Sequence, residues 1–101
     1  MIELHTGGYA DAATSEQRGA ELYRIAAAAR FAAAAGLEVH AGHGLTFDTV
    51  TPVAAFPEVM ELNIGHFLIG EAIFSGLDSA IRRMRETMDR ARREAFGEGV
   101  A

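Results

Sequence analysis

No cysteine occurs in the 101 residues, which removes a disulfide framework, a thiolate nucleophile and any cysteine-based zinc site. A thiol-free chain suits a reducing compartment, so a cytoplasmic location is expected. Lysine is absent as well: all nine cationic side chains are arginines. That excludes a Schiff base on an amine of this chain and a P-loop lysine. No apolar run reaches the roughly 20 residues that span a bilayer. Met1 leads straight into strand-like sequence holding Glu3 and His5, the wrong pattern for a secretory signal. No membrane association is expected. The net charge of −5 argues against nucleic acid as the main partner, because phosphate backbones need a basic surface. An acidic chain can still hold a phosphate locally.

What is present is a half-apolar composition, enough for one folded domain over 1–101 with a frayed tail at 97–101. Ile2 to His5 alternates apolar and polar and stops at Gly7-Gly8, a short strand followed by a small-residue loop to Ala13. Thr14 and Gln17 fit a capping box, which predicts a helix over Glu16–Ala35 closed by Gly36. In it Leu22, Ile25 and Phe31 lie among alanines that pack closely on a sheet. Leu37 to Ala41 reads as the second strand and Gly42 to Thr49 as its loop. Thr51-Pro52 predicts an N-cap and a helix through Phe56. Glu61 to Ile64 is the third strand, Phe67 to Phe74 a short buried helix broken at Ser75-Gly76. From Asp78 to Phe96 the last helix carries Leu77, Ile81, Met84 and Met88 on one face. Its arginines alternate with Glu86, Asp89 and Glu94, the pattern of a solvated surface rather than a nucleic-acid face.

A strand, helix, strand succession with long crossovers implies parallel pairing. Glu3 and His5, Glu38 and His40, and Glu61 and Asn63 each share a strand face, opposite Ile2, Leu4, Leu37, Val39, Leu62 and Ile64. Helices cover the apolar face. A polar opposite face fits the interior of a (βα)8 barrel better than a sheet covered on both sides. The expected fold is therefore α/β, a partial TIM barrel of three βα units, whose two open sheet edges call for further units or another chain.

His43 stands between Gly42 and Gly44 at the end of the second strand. An arbitrary histidine is usually satisfied by loop hydrogen bonds, but this position is where barrels place their chemistry, and imidazole suits proton transfer near neutrality. Gly65-His66 follows the third strand and opens a helix, which is either a tight turn or a phosphate cradle of free N–H groups. Glu3 is either half of a core ion pair or a buried charge stabiliser. Glu3, His5, His40, His43 and His66 contain metal-ligand types, but His40-x-x-His43 straddles the strand end and no tight ligand spacing results. No metal is expected.

The motifs Glu3-Leu4-His5-Thr6-Gly7, Ala41-Gly42-His43-Gly44-Leu45 and Glu61-Leu62-Asn63-Ile64-Gly65-His66, in this order and spacing, resemble the C-terminal portion of pyridoxine 5'-phosphate synthase. The resemblance runs from Ile2 to about Met88. It implies a TIM barrel that condenses 1-deoxy-D-xylulose 5-phosphate with 3-amino-2-oxopropyl phosphate, releasing phosphate and water without a cofactor. The three units would be strands six to eight. By resemblance His43 is the proton donor, Glu3 stabilises a transition state, and Gly44, Gly65 and His66 bind the amino-ketone phosphate. Two departures stand out: His40 where the family usually has asparagine, and Phe47-Asp48-Thr49 where it has Tyr-His-Asn. The general bases that the family carries on its N-terminal strands have no counterpart in this chain. The isolated chain is expected to be inactive, with phosphorylated small molecules as ligands and a homo-oligomer or an N-terminal barrel half as partner. Two rivals remain: a truncated, self-associating product, and another phosphate-binding barrel enzyme.

Overall fold

Three short strands form the frame: β1 (Ile2–His5), β2 (Val39–Gly42) and β3 (Val59–Asn63), parallel and side by side in chain order. The structure is a computed structural model and describes residues 1–96; the tail expected to fray at 97–101 lies outside the described residues. Ile2 pairs with Val39 and His5 with Gly42, while Gly42 in turn pairs with Asn63. Val59 and Glu61 face consecutive residues of β2, so Met60 is an extra residue that bulges outward. This moves the start of β3 two residues ahead of the expected Glu61.

Between β1 and β2 lie α1 (Gly7–Ala10) and α2 (Ser15–Ala34). The single turn α1 replaces part of the expected loop, closed by N–H groups of Ala10 and Asp11 on the carbonyls of Thr6 and Gly7. At the start of α2, Thr14 Oγ1 accepts from the Gln17 N–H at 3.1 Å. Gln17 reaches back to the N–H of Ala13 rather than of Thr14, a capping box displaced by one residue. Ile25, Ala29 and Ala32 are buried on one stripe of α2. Phe31 is not in that stripe: at 100° per residue it lies about 120° away, and it is 80% exposed. Gly36, at φ +86°, ends the helix, and the Leu37 N–H returns to Ala32 O. Leu37 thus belongs to the helix cap rather than to the strand, and it is exposed.

The segment after β2 turns through residues 46–49, where Thr49 Oγ1 accepts from the Thr46 N–H at 2.9 Å and Val50 N–H donates to Thr46 O. That turn starts α3 (Val50–Ala54) ahead of the expected Thr51 cap, leaving Pro52 as the third helical residue. After β3 come α4 (His66–Ser75) and α5 (Leu77–Ala95). Apolar composition predicts that α4 is buried, yet none of its residues is; Ile69, Ile73 and Phe74 face outward. On α5, Ala80, Met84 and Ala91 are buried, while Leu77 and Ile81 at its first turns stay about half exposed.

The apolar strand face, with Val39 and Ala41 fully buried, joins Ile25, Ala29, Val50, Val53 and Met84 in one core. Glu3, His5, Glu61 and Asn63 remain exposed on the other face. An α/β unit with a parallel three-stranded sheet, helices on one face and polar residues on the other, is compatible with part of a (βα)8 barrel. Among the described residues no helix is long and apolar enough to cross a membrane.

Candidate active site

The site grows from the C-terminal ends of the strands. β1 ends at His5 and β2 at Gly42, so the next residue, His43, emerges beside His5. Its backbone has φ +92°, a left-handed conformation that costs a non-glycine residue roughly 1–2 kcal/mol. Thr6, fully buried, holds it there: its Oγ1 donates to His43 O at 2.6 Å. Gly44 continues at φ +79° and sits so close to Ala10 that an added Cβ would lie 3.1 Å from the alanine Cβ. The His43 ring stacks on His5, with centroids 4.2 Å apart and planes 27° from parallel.

Across the mouth, Asn63 Nδ2 donates to Glu3 Oε1 at 2.8 Å. These residues belong to the two outer strands, and the bond passes over Gly42 on the middle one. A Cβ on Gly42 would lie 2.8 Å from Asn63 O and 3.1 Å from Glu3 Oε1. Glycine at 42 is therefore what lets Glu3 and Asn63 meet.

Gly65 precedes the first turn of α4, where the Ile69 N–H bonds to Gly65 O. The N–H groups ahead of it have no partner within the helix and point from its positive end. A Cβ at Gly65 would meet nothing within 4 Å, so neither strain nor crowding within the chain calls for glycine; the volume a side chain would fill is open to the cavity.

Glu3, His43, Gly44, Gly65 and His66 all line one open cavity of about 670 Å³. The residues singled out in the sequence, from three separate βα units, thus surround a single space. Asp11, Asn63, Ile64 and Phe67 share it. Asp11 has no motif to announce it; its only sequence signal is its place in the segment after a strand end. His40 is not among the lining residues. It lies deeper, with Nε2 2.5 Å from Glu38 Oε2 and Nδ1 2.9 Å from Glu61 Oε2, so it ties β2 to β3 beneath the cavity floor. Among the described residues no cluster of three or more histidine, aspartate or glutamate side chains is arranged to hold a metal ion.

Behind the site Tyr9, 1% exposed, donates its hydroxyl to Thr49 O at 2.8 Å. This fixes α1 to the far end of the His43 loop. Burial pushes the phenol above its ordinary value, and Arg18 pulls the other way. Phe47 meets Phe67 edge to face at 4.8 Å and has the Arg83 guanidinium 3.9 Å from its ring centre. The loop after β2 and the start of α4 are thereby packed together.

Comparison with known proteins gives a consistent set of relatives. The chain is 65% identical over 95 residues to pyridoxine 5'-phosphate synthase of Roseobacter denitrificans, covering 91% of this chain and 38% of that protein. The enzyme of the same name from Rhodospirillum rubrum is 66% identical over 93 residues, covering 92% and 37%. That from Xanthobacter autotrophicus is 57% identical, covering all of this chain and 40% of the relative. The chain thus spans about two fifths of the length of the relatives it matches. The family described as pyridoxal phosphate biosynthesis protein PdxJ matches residues 1–90, and the chain belongs to that family.

Proposed function

We propose that this chain forms the C-terminal part of a pyridoxine 5'-phosphate synthase, supplying strands six to eight of a TIM barrel. The intact enzyme, a transferase, joins 1-deoxy-D-xylulose 5-phosphate to 3-amino-2-oxopropyl phosphate and closes the pyridine ring with loss of phosphate and water. In this reading His43 donates a proton, and Glu3, oriented by Asn63, stabilises developing positive charge. Gly44, Gly65 and His66 cradle the amino-ketone phosphate: the N–H groups at the start of α4 are suited to an anion, and the open space over Gly65 lets it approach. The observation that carries the reading is the convergence of these five residues on one cavity.

Proton transfer and anion binding are separable. In the intact enzyme containing this segment, His43→Asn is expected to lower kcat by about 10²- to 10⁴-fold with little change in KM. Equal losses in both would make His43 a binding group instead. The 101-residue chain alone lacks the partner groups that the remaining strands supply, and it is expected to form no pyridoxine 5'-phosphate; product formation by the purified chain would overturn that division of labour.

A further inference from the structure

The ring of His43 is held in an unusual way. Its backbone is pinned through its carbonyl, and among the described residues neither ring nitrogen has a hydrogen-bond partner. What the ring touches is the face of His5, at 4.2 Å between centroids. His5 is itself fixed by the backbone next to it, because its Nδ1 accepts the Gly7 N–H at 3.3 Å. When neutral, that ring carries its proton on Nε2. Gly7 completes the arrangement by leaving room: a Cβ there would lie 2.6 Å from His5 Cε1 and 2.9 Å from His43 Cδ2.

The geometry points to His5 as the positioning residue for His43. The chain from Gly7 to His5 to His43 sets the plane of the exposed imidazole by stacking and leaves both of its nitrogens free for a ligand. A hydrogen bond donated by the ring to a carboxylate or backbone carbonyl, a common way to orient a histidine, would occupy one of those nitrogens. Stacking orients the ring without using either. The inference rests on the proton-donor reading of His43 for its functional consequence, but the geometry itself is independent of that reading.

Two variants separate the stack from the hydrogen bond. His5→Phe keeps a flat ring against His43 and loses the acceptor for Gly7; His5→Leu loses both. In the 101-residue chain, the ring protons of His43 are read by NMR, using only variants whose backbone amide spectrum remains that of the parent. The stack shifts these protons upfield in the parent and in His5→Phe, and His5→Leu returns them to the values of an unstacked histidine. Unchanged His43 resonances in His5→Leu overturn the proposal. In the intact enzyme, His5→Leu is expected to lower kcat about ten- to a hundredfold with KM little altered, and His5→Phe to recover most of the loss. An equal loss in both variants also overturns it, since the ring face would then not be what matters. If His43→Asn leaves turnover intact, the proton-donor reading fails while the NMR result still stands.

Discussion

At the scale of single residues, three positions around the candidate site are held by three different constraints. His43 carries an imidazole on a backbone whose conformation favours glycine. Comparing His43→Gly with His43→Ala removes the ring in both and isolates the strain: the glycine variant is expected to be about 1–2 kcal/mol more stable in urea denaturation. Equal stability would mean the loop relaxes out of φ +92°. Gly42 is constrained by space instead. Gly42→Ala puts a methyl group into Asn63 O and Glu3 Oε1, and about 1–3 kcal/mol of destabilisation is expected together with loss of the Glu3–Asn63 bond. Tyr9 is a third case. Because burial raises its folded-state pKa above 10.0, its contribution is complete below pH 10 and is lost as the pH climbs through the raised value. Tyr9→Phe should cost about 1–3 kcal/mol near neutrality by leaving Thr49 O unpaired, yet lose less additional stability than the parent above pH 10. Parallel slopes in alkaline denaturation would show that another group governs that limb.

At the scale of elements, α5 shows what periodicity reveals and what it hides. Its arginines read as a solvated face, and several are: Arg82 pairs with Asp78 at 2.6 Å and Arg85 with Asp89 at 3.4 Å, one turn along the helix. Arg92 follows the same spacing and does something else. Its Nη1 donates to the carbonyls of Ala54, Phe56 and Val59 at 3.1, 2.7 and 3.0 Å, closing the end of α3 and the entry to β3. Nothing local in the sequence marks this, because the acceptors are backbone carbonyls more than 30 residues away. The long α2 helix and the glycine stop at Gly36 were legible since each depends on neighbours in sequence, and parallel pairing followed from the strand, helix, strand succession. The Met60 bulge and the exposure of α4 depend on how distant segments meet and were not legible, nor was the α1 turn, whose local bonds are backed by the distant tie of Tyr9 to Thr49. The same division holds for the site: glycine-flanked His43 announces itself, whereas Asp11 and the crossing of Glu3 to Asn63 appear only when the strands are laid in register. Arg92→Lys tests the clamp, as the ammonium keeps the charge but cannot present the guanidinium fork. A loss of about 1–3 kcal/mol is expected, and an unchanged urea midpoint would mean that water replaces the clamp at no cost.

At the scale of the whole molecule, the sheet has three strands and the outer two, β1 and β3, each present one unpaired edge among the described residues. Unpaired edges recruit other strands, and apolar side chains are exposed as well: Met60 on the β3 edge strand, and, on a separate helical surface, Ile69, Ile73, Phe74, Leu77 and Ile81 over α4 and the start of α5. A chain with both features is expected to associate with itself, and sedimentation velocity over a range of concentrations should show species larger than the monomer. Two substitutions then distinguish the surfaces. Met60→Lys places a charge on the edge bulge and blocks strand addition; Ile73→Glu charges the helical surface and leaves the strands alone. Loss of association in the first variant alone identifies the open edge as the contact, the position that another strand occupies in a closed barrel. Loss in the second alone identifies the α4 surface, which faces away from the core and is free to meet a neighbour even when the edge is paired. A monodisperse monomer with cooperative melting at every concentration would mean that this three-strand unit tolerates its exposed edges, and the case for a partner would fail.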